Sequence, residues 1–518
     1  MSARRKLIGA LAVGCIATLA FAEPESRATS AWVRLGADGK LAYQALPAGD
    51  RIMDFSSAGY MGGGVKLPRM PVEKLVKPSG GDDTLAIQAA LDAVGRLPLV
   101  DGIRGAVMLE PGEFHCDATI NLRVSGVALR GGGSGEDGSK IVMTGKPHVA
   151  FAIGGTGTAR PVGEPVAITD AYVPAGASSL NVTNAAGFAV GDTVLVNHPV
   201  TPEWVKFMGM DGLVRDGKKQ TWIKADTFIR TERVITGIAG NKLTLNVPLS
   251  DTLDARWLSP PGASVVKCTP PARITQVGLS RVRIVAPPQP VTINDPHHRA
   301  VTVGAVADGW VRDVAIVDTV NSVRVAPAAR RVTLDEVNIT HTVATKGAAK
   351  PADFSIDGSQ VLVYRCTATG DSVFFLATGA GVNGPNVLLQ CTFRGNGWIQ
   401  PHQRWATGLL IDNCRVPDGG IEFMNRGQMG SGHGWAVGWA VAWNCSAQSL
   451  LIQQPPGAAN WAIGCVGERR TDVMPFNASA KLPEGIIDSP GVPVAPTSLY
   501  LAQLAERLGA QAAKNLVE

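Results

Sequence analysis

From about Arg273 onward the chain repeats one phrase: a short run in which apolar and polar residues alternate, a turn signal, and a stretch of no period. The phrase appears as "SRVRIVAP", "RDVAIVDT", "DEVNITHT", "YRCTATGD", "LQCTFRGN", "DNCRVPDG", "WNCSAQSL" and "IGCVGERR". With Val282, Val314, Val337, Cys366, Cys391, Cys414, Cys445 and Cys465 as register marks, the steps are 32, 23, 29, 25, 23, 31 and 20 residues. A repeat of twenty-odd residues with strand alternation inside each unit predicts an all-β solenoid, a parallel β-helix. One coil cannot bury its own inner face, so its neighbour must complete both the hydrogen bonds and the core.

This register decides how the cysteines are read. Five of them (Cys366, Cys391, Cys414, Cys445, Cys465) share one position of the repeat. Residues in one register point inward in parallel, so a ladder of buried, reduced thiols is expected rather than disulfides. None of the five stands in a CxxC or CxxH spacing, which argues against a metal cluster.

Before the repeat, "GGDDTLAIQAALDAVGRL" places Leu85, Ile87, Ala90, Leu91 and Val94 on one face behind acidic residues, which predicts an N-terminal capping helix. The glycine run "GGGSGEDG" has no strand-to-helix context and no Gly-Lys-Ser/Thr ending, so it is a turn and not a phosphate loop. Between Thr158 and Ala263 the period is lost, and alternating runs such as "RVITGIAGNKLTLNVPL" predict a small inserted β-domain. Trp204 and Trp222 are expected to reach from it toward a ligand. "TSLYLAQLAERLGAQAAKNL" predicts a C-terminal helix with Leu501, Leu504 and Leu508 on its packing face. The expected organisation is therefore 1–22 leader, 23–157 cap and first coils, 158–263 insertion, 264–470 main coils and 471–518 C-terminal extension.

Composition adds the compartment. Arg4, Arg5 and Lys6 precede an apolar run ending in Ala20-Phe21-Ala22, a signal-peptide pattern that implies a secreted or periplasmic protein. "RRKLI" also fits twin-arginine export. No later stretch has membrane-spanning length. Of 48 lysines and arginines the leader holds three, so 45 basic face 43 acidic side chains. That balance gives no electrostatic case for nucleic acid, while a local arginine cluster would suffice for an acidic sugar polymer. The 60 glycines and 34 prolines suit short strands and many turns.

The stretches "DFSSAGYMGGGVKLP", "GDDTLAIQAAL" and "VMLEPGEF" together resemble the pectate-lyase-like superfamily of secreted, right-handed parallel β-helix proteins. The resemblance covers most of the chain outside the insertion. It implies the fold and a polysaccharide as partner, and leaves lyase, hydrolase and epimerase chemistry open. It carries no catalytic residues onto 399–467, and the aspartate cluster that binds calcium in pectate lyases is not evident. No cofactor is expected, and Ca2+ has no clear ligand cluster to support it. A monomer is expected.

The candidate chemistry lies in a second rhyme. His402 and His433 each stand twelve residues before a register cysteine, Cys414 and Cys445, so they are expected on adjacent coils. Gln453 stands twelve before Cys465. β-Elimination from a uronic acid needs a base for the proton alpha to the carboxylate and donors for the charge that develops there. His402 and His433 as base, with Arg404, fit that list, and Gln403, Asn425, Arg426, Trp435, Gln453, His341 and Asp353 are expected to contact substrate. The alternatives are a glycoside hydrolase using carboxylates such as Asp353, Asp357 or Asp412, and a non-catalytic carbohydrate-binding adhesin. Asn413 and Asn444 are expected to bond each other along a ladder, and Asp418 and Glu422 to lie in a turn. His297 and His298 are adjacent and would face opposite ways, while His115 and His148 are ordinary.

Overall fold

The computed structural model describes residues 27–471 and 482–517; the leader at 1–22 lies outside them. The repeats wind into a parallel β-helix whose coils carry three strand faces. The first face stacks Ser359–Tyr364, Asn383–Leu389, Ala406–Asp412, Val441–Trp443 and Trp461–Ile463. The second stacks Thr367–Thr369 on Thr392–Arg394 and on the strand that begins at Arg415. The third stacks Ala352–Ile356, Val373–Ala377 and Gly397–Ile399, then the later halves of Arg415–Phe423 and Ser446–Ile452. One continuous apolar core runs through the coils, from Val107 and Phe114 to Ile452 and Cys465.

The corner between the first two faces explains the register marks. The residue before each mark (Arg281, Asp313, Glu336, Arg365, Gln390, Asn413, Asn444, Gly464) has a positive φ, between 50° and 66°. A single left-handed residue turns the strand sharply and drops the next side chain into the core. The five ladder cysteines are accordingly free and 0–4% exposed. Each thiol meets a carbonyl of the preceding coil, Cys391 Sγ lying 3.4 Å from Val363 O and Cys445 Sγ 3.2 Å from Ile411 O. The asparagines at these corners do not bond each other. Asn413 donates to Thr497 O and Asn444 to Val494 O and Thr497 O, so they hold the C-terminal segment instead.

The capping helix is Thr84–Gly95, with Ile87, Leu91 and Val94 buried and Leu85, against expectation, 77% exposed. The C-terminal helix breaks at Gly509 into Leu499–Leu508 and Ala510–Val517. Its packing face is Leu499, Tyr500, Gln503 and Leu504, while Leu508 points outward. Among the described residues no helix is long and apolar enough to cross a membrane.

The insertion leaves the solenoid after Val149–Ile153 on the third face and returns at Ile274–Val285 on the first. It is built on a six-stranded antiparallel sheet that includes Ser264–Thr269, so it extends past residue 263. Emerging at the corner between the third and first faces, it lies along the turns that join those faces in later coils. Trp204 and Trp222 are not offered to a ligand. They are 5% and 1% exposed and share one core with Trp405, Trp435 and Trp439 of the solenoid. Arg233, also buried, donates to Gly384 O across the same boundary.

Candidate functional site

That corner carries the histidine pair. The turns Gln400–Trp405 and Met424–Ala436 follow the third-face strands of successive coils, and the backbone of Arg404 donates to His433 O at 3.0 Å. The step of 31 residues that pairs Ala406 with Val437 also sets His402 beside His433. Their ring centroids are 4.9 Å apart with the planes inclined at 57°. Phe374, one coil earlier, meets His402 edge-on at 4.8 Å.

The pair stands in positive surroundings. Arg426 is 7% exposed, packs its guanidinium 5.2 Å from the centre of the Phe374 ring, and donates to Nδ1 of His402 at 2.7 Å and to His402 O at 3.0 Å. Burial, then Arg426, His433 and Arg404, push His402 down to about 2; burial, then Arg426, Arg404 and Arg215, push His433 down to about 4. Both imidazoles are neutral near pH 7. Because Nδ1 of His402 accepts from a guanidinium, its own proton sits on Nε2, and that ring is a donor rather than a base. Arg426 itself is lowered by burial only to about 10, so it stays charged.

Polar atoms at this corner are conspicuously unpaired. Thr378 Oγ1, Gln400 Oε1, Arg426 Nε and His433 Nδ1 are all buried without a hydrogen-bond partner. Leaving such groups unpaired costs about 1–3 kcal/mol each, and a polar ligand would recover that cost. Gln400 and Glu422 are the residues sequence reasoning undervalued. Glu422 lies in the strand Arg415–Phe423, not in a turn, and accepts from Gln400 Nε2 on the outward row of the third face. The signal was their shared position one residue after the paired Ile399 and Ile421.

Other expected site residues are placed differently. Arg404 binds Trp222 O at 2.6 Å, Ser431 Oγ at 2.7 Å and Gln403 Oε1, so its fork straps the insertion to the turn and spends its donors there. Trp435 is 2% exposed and its indole donates to Met208 O. Gln453 is not in the histidine row: it is buried and accepts from the backbone of Asn425, whose own side chain caps Gly427. Trp435, Gln453 and Asn425 shape the loop that presents Arg426 and His433.

His341 and Asp353 form a second buried pair, Nε2 to Oδ1 at 2.7 Å. Burial lowers the His341 pKa, but Asp353 and then Asp318 outweigh it and the net shift is upward. Asp353 follows Ala352, whose neighbour in the next coil is Phe374, so the dyad lies one coil before the residue on which His402 packs. The alternative carboxylates are engaged elsewhere. Asp412 is fully buried and accepts from Ser498 Oγ and Tyr500 N, anchoring the C-terminal helix. Asp357 accepts from Arg324 and Gly379 N. Among the described residues no three histidine, cysteine or acidic side chains converge as a metal set.

No family model matches this chain, and no curated protein matches it. Solved structures do. The tailspike protein gp49 of Pseudomonas phage LKA1 is 14% identical with a TM-score of 0.39, the match covering 74% of this chain and 56% of that one. A polygalacturonase from Erwinia carotovora is 11% identical with a TM-score of 0.33, covering 84% and 96%. PfbA, a surface adhesin of Streptococcus pneumoniae, is 11% identical with a TM-score of 0.35, covering 76% of each. The chain thus spans less than two thirds of the tailspike it matches.

Proposed function

We propose that this corner binds an anionic sugar of an acidic polysaccharide and cleaves the chain by β-elimination. The observation that supports this reading is the pair of neutral imidazoles set among Arg426, Arg404 and Arg215, with buried donors and acceptors unpaired around them. Arg426 neutralises the substrate carboxylate and so acidifies the proton alpha to it. His433 takes that proton, the electron pair closes a C4–C5 double bond, and the C4–O bond breaks. The proton passes to the departing glycosidic oxygen. His402 supplies its Nε2–H to the developing charge. Burial and then the neighbouring guanidinium groups hold His433 near 4, and an arriving carboxylate offsets the charge part of that shift, so substrate makes the base stronger at the moment of use.

A second reading, glycan binding without cleavage, is favoured by one observation: Nδ1 of His433 and Nε of Arg426 are covered as well as unpaired. The hydrolase reading has less support, because Asp353, Asp357 and Asp412 are each committed to a protein partner. Purified protein incubated with polyuronates separates the three. Elimination creates an unsaturated sugar that absorbs in the ultraviolet, hydrolysis gives reducing ends without absorbance, and binding alone gives neither. Reducing ends with no absorbance would overturn the elimination mechanism.

A further inference from the structure

A second hollow, lined by aromatic side chains, lies beside the histidine corner. A cavity of about 320 Å³ opens where the insertion meets the solenoid, between the helix Pro202–Phe207, the segment Asp251–Leu258 and the solenoid turn Gln454–Ala458. Its floor is rigid: both indole N–H groups of Trp405 and Trp439 are anchored on the Asp251 carboxylate, at 2.7 and 3.2 Å. At its mouth Phe207 and Trp257 stack nearly parallel, centroids 4.4 Å apart and planes inclined at 11°. Phe207 closes directly on the solenoid, since a Cβ at Gly457 would come within 2.9 Å of its ring.

We infer that this cavity is a binding site for a neutral pyranose sugar, distinct from the anion-binding corner. The aromatic lining suits the C–H groups of a sugar ring, and it carries both donors and acceptors. His198 Nδ1 and Trp257 Nε1 are buried without partners, and His198 itself is 5% exposed. Charge selects the ligand. Asp50, Asp251 and Asp254 line the cavity against one guanidinium, Arg256, which is already paired with Asp254 at 2.6 Å. That balance disfavours a uronate. It does not recruit an organic cation either, because the two deepest carboxylates are saturated: Asp50 accepts from Tyr172, Thr252 and Ala175, and Asp251 from Trp405, Trp439 and Thr252. What remains without a partner is uncharged, an imidazole nitrogen and an indole N–H between aromatic walls.

The site also tells something about the polymer. Trp405, in the cavity wall, directly follows Arg404 in the histidine turn, so cavity and corner belong to one edge of the solenoid. A chain or side branch that mixes neutral with acidic sugars could engage both; this last step rests on the proposed function, whereas the cavity's own preference does not. The test is binding to the full protein of free glucose, galactose, mannose and rhamnose, compared with glucuronate and galacturonate, followed by saturation-transfer NMR. At least one neutral sugar should bind, neither uronate should bind at this cavity, and Trp257→Ala should weaken the neutral sugar tenfold or more while His433→Ala leaves it unchanged. Arg256→Ala, at an exposed rim position, serves as a second variant should Trp257→Ala fail to fold. Failure of every neutral sugar to bind overturns the inference. So does binding that neither variant weakens, or equal capture of the uronates in a Trp257-dependent way. Loss of elimination activity would leave this result untouched, so the two readings fail separately.

Discussion

The guanidinium of Arg426 lies 2.7 Å from Nδ1 of His402, and this contact divides the labour of two histidines that look equivalent in the sequence. A ring nitrogen that accepts from a permanent cation cannot also collect a proton. His402 is thereby kept neutral with its proton outward, and the base role falls to His433.

The pH profile tests this division. A base must be neutral to work, and His433 is held down to about 4, so kcat/KM should rise through pH 4 and stay flat above it, instead of rising near the ordinary value of about 6.5. Arg426→Gln removes the largest charge acting on His433, so its acid limb should move upward. A limb that stays fixed in that variant would remove Arg426 from the account.

Turnover should follow the same assignment. His433→Ala is expected to lower kcat by roughly a hundredfold or more with little change in folding. His402→Gln keeps a donor and should lose less. Steady-state rates by ultraviolet absorbance decide between them, and equal losses would return the base role to the pair.

Stability should also depend on pH, with opposing signs. The folded chain protonates His402 and His433 less readily than the unfolded chain does, so below about pH 6.5 the unfolded state binds more protons and stability falls as pH drops. His341 is shifted the other way by Asp353; its stabilisation is present at low pH and is lost as pH rises through its folded value. Melting temperatures should therefore flatten between pH 4 and 6.5 in a His402→Gln/His433→Gln double variant, whereas His341→Gln should remove a fall in melting temperature that sets in above about pH 6.5.

The insertion should prove inseparable from the solenoid. Trp222 is 1% exposed and its indole donates to Trp435 O at 3.1 Å, so Trp222→Ala should cost about 3–5 kcal/mol. Deleting 158–263 would bare Trp405, Trp435 and Trp439 and should yield aggregated protein. Soluble, cooperatively melting protein from the deletion would contradict this.

Asp412→Asn separates anchoring from chemistry. The Asp412 carboxylate receives the Ser498 hydroxyl and the Tyr500 amide, so the change should destabilise the protein by about 1–3 kcal/mol while the activity per folded molecule persists. Loss of activity without loss of stability would revive the hydrolase alternative.

Much of this architecture was legible in the chain. The spacing of Val282 to Cys465 determined the coil period, the inward register and the reduced thiols, because each is a local consequence of strand alternation repeated at one step. The same arithmetic placed His402 beside His433, since a shared step of 31 residues carries a whole turn onto its neighbour. It failed for Gln453, where the next step shortens to 20 and the turn is rebuilt. What the chain could not reveal is which way long polar side chains turn once a distant segment packs on them. Arg404 and Trp435 looked like sugar-binding groups, but both are consumed by an insertion some two hundred residues earlier, through Trp222 O and Met208 O. Arg426 took the part expected of Arg404 because its turn folds inward over Phe374 instead of outward to that insertion. Periodicity is written in neighbouring residues, whereas the partner of a guanidinium is chosen by whatever the tertiary fold brings within about 3 Å.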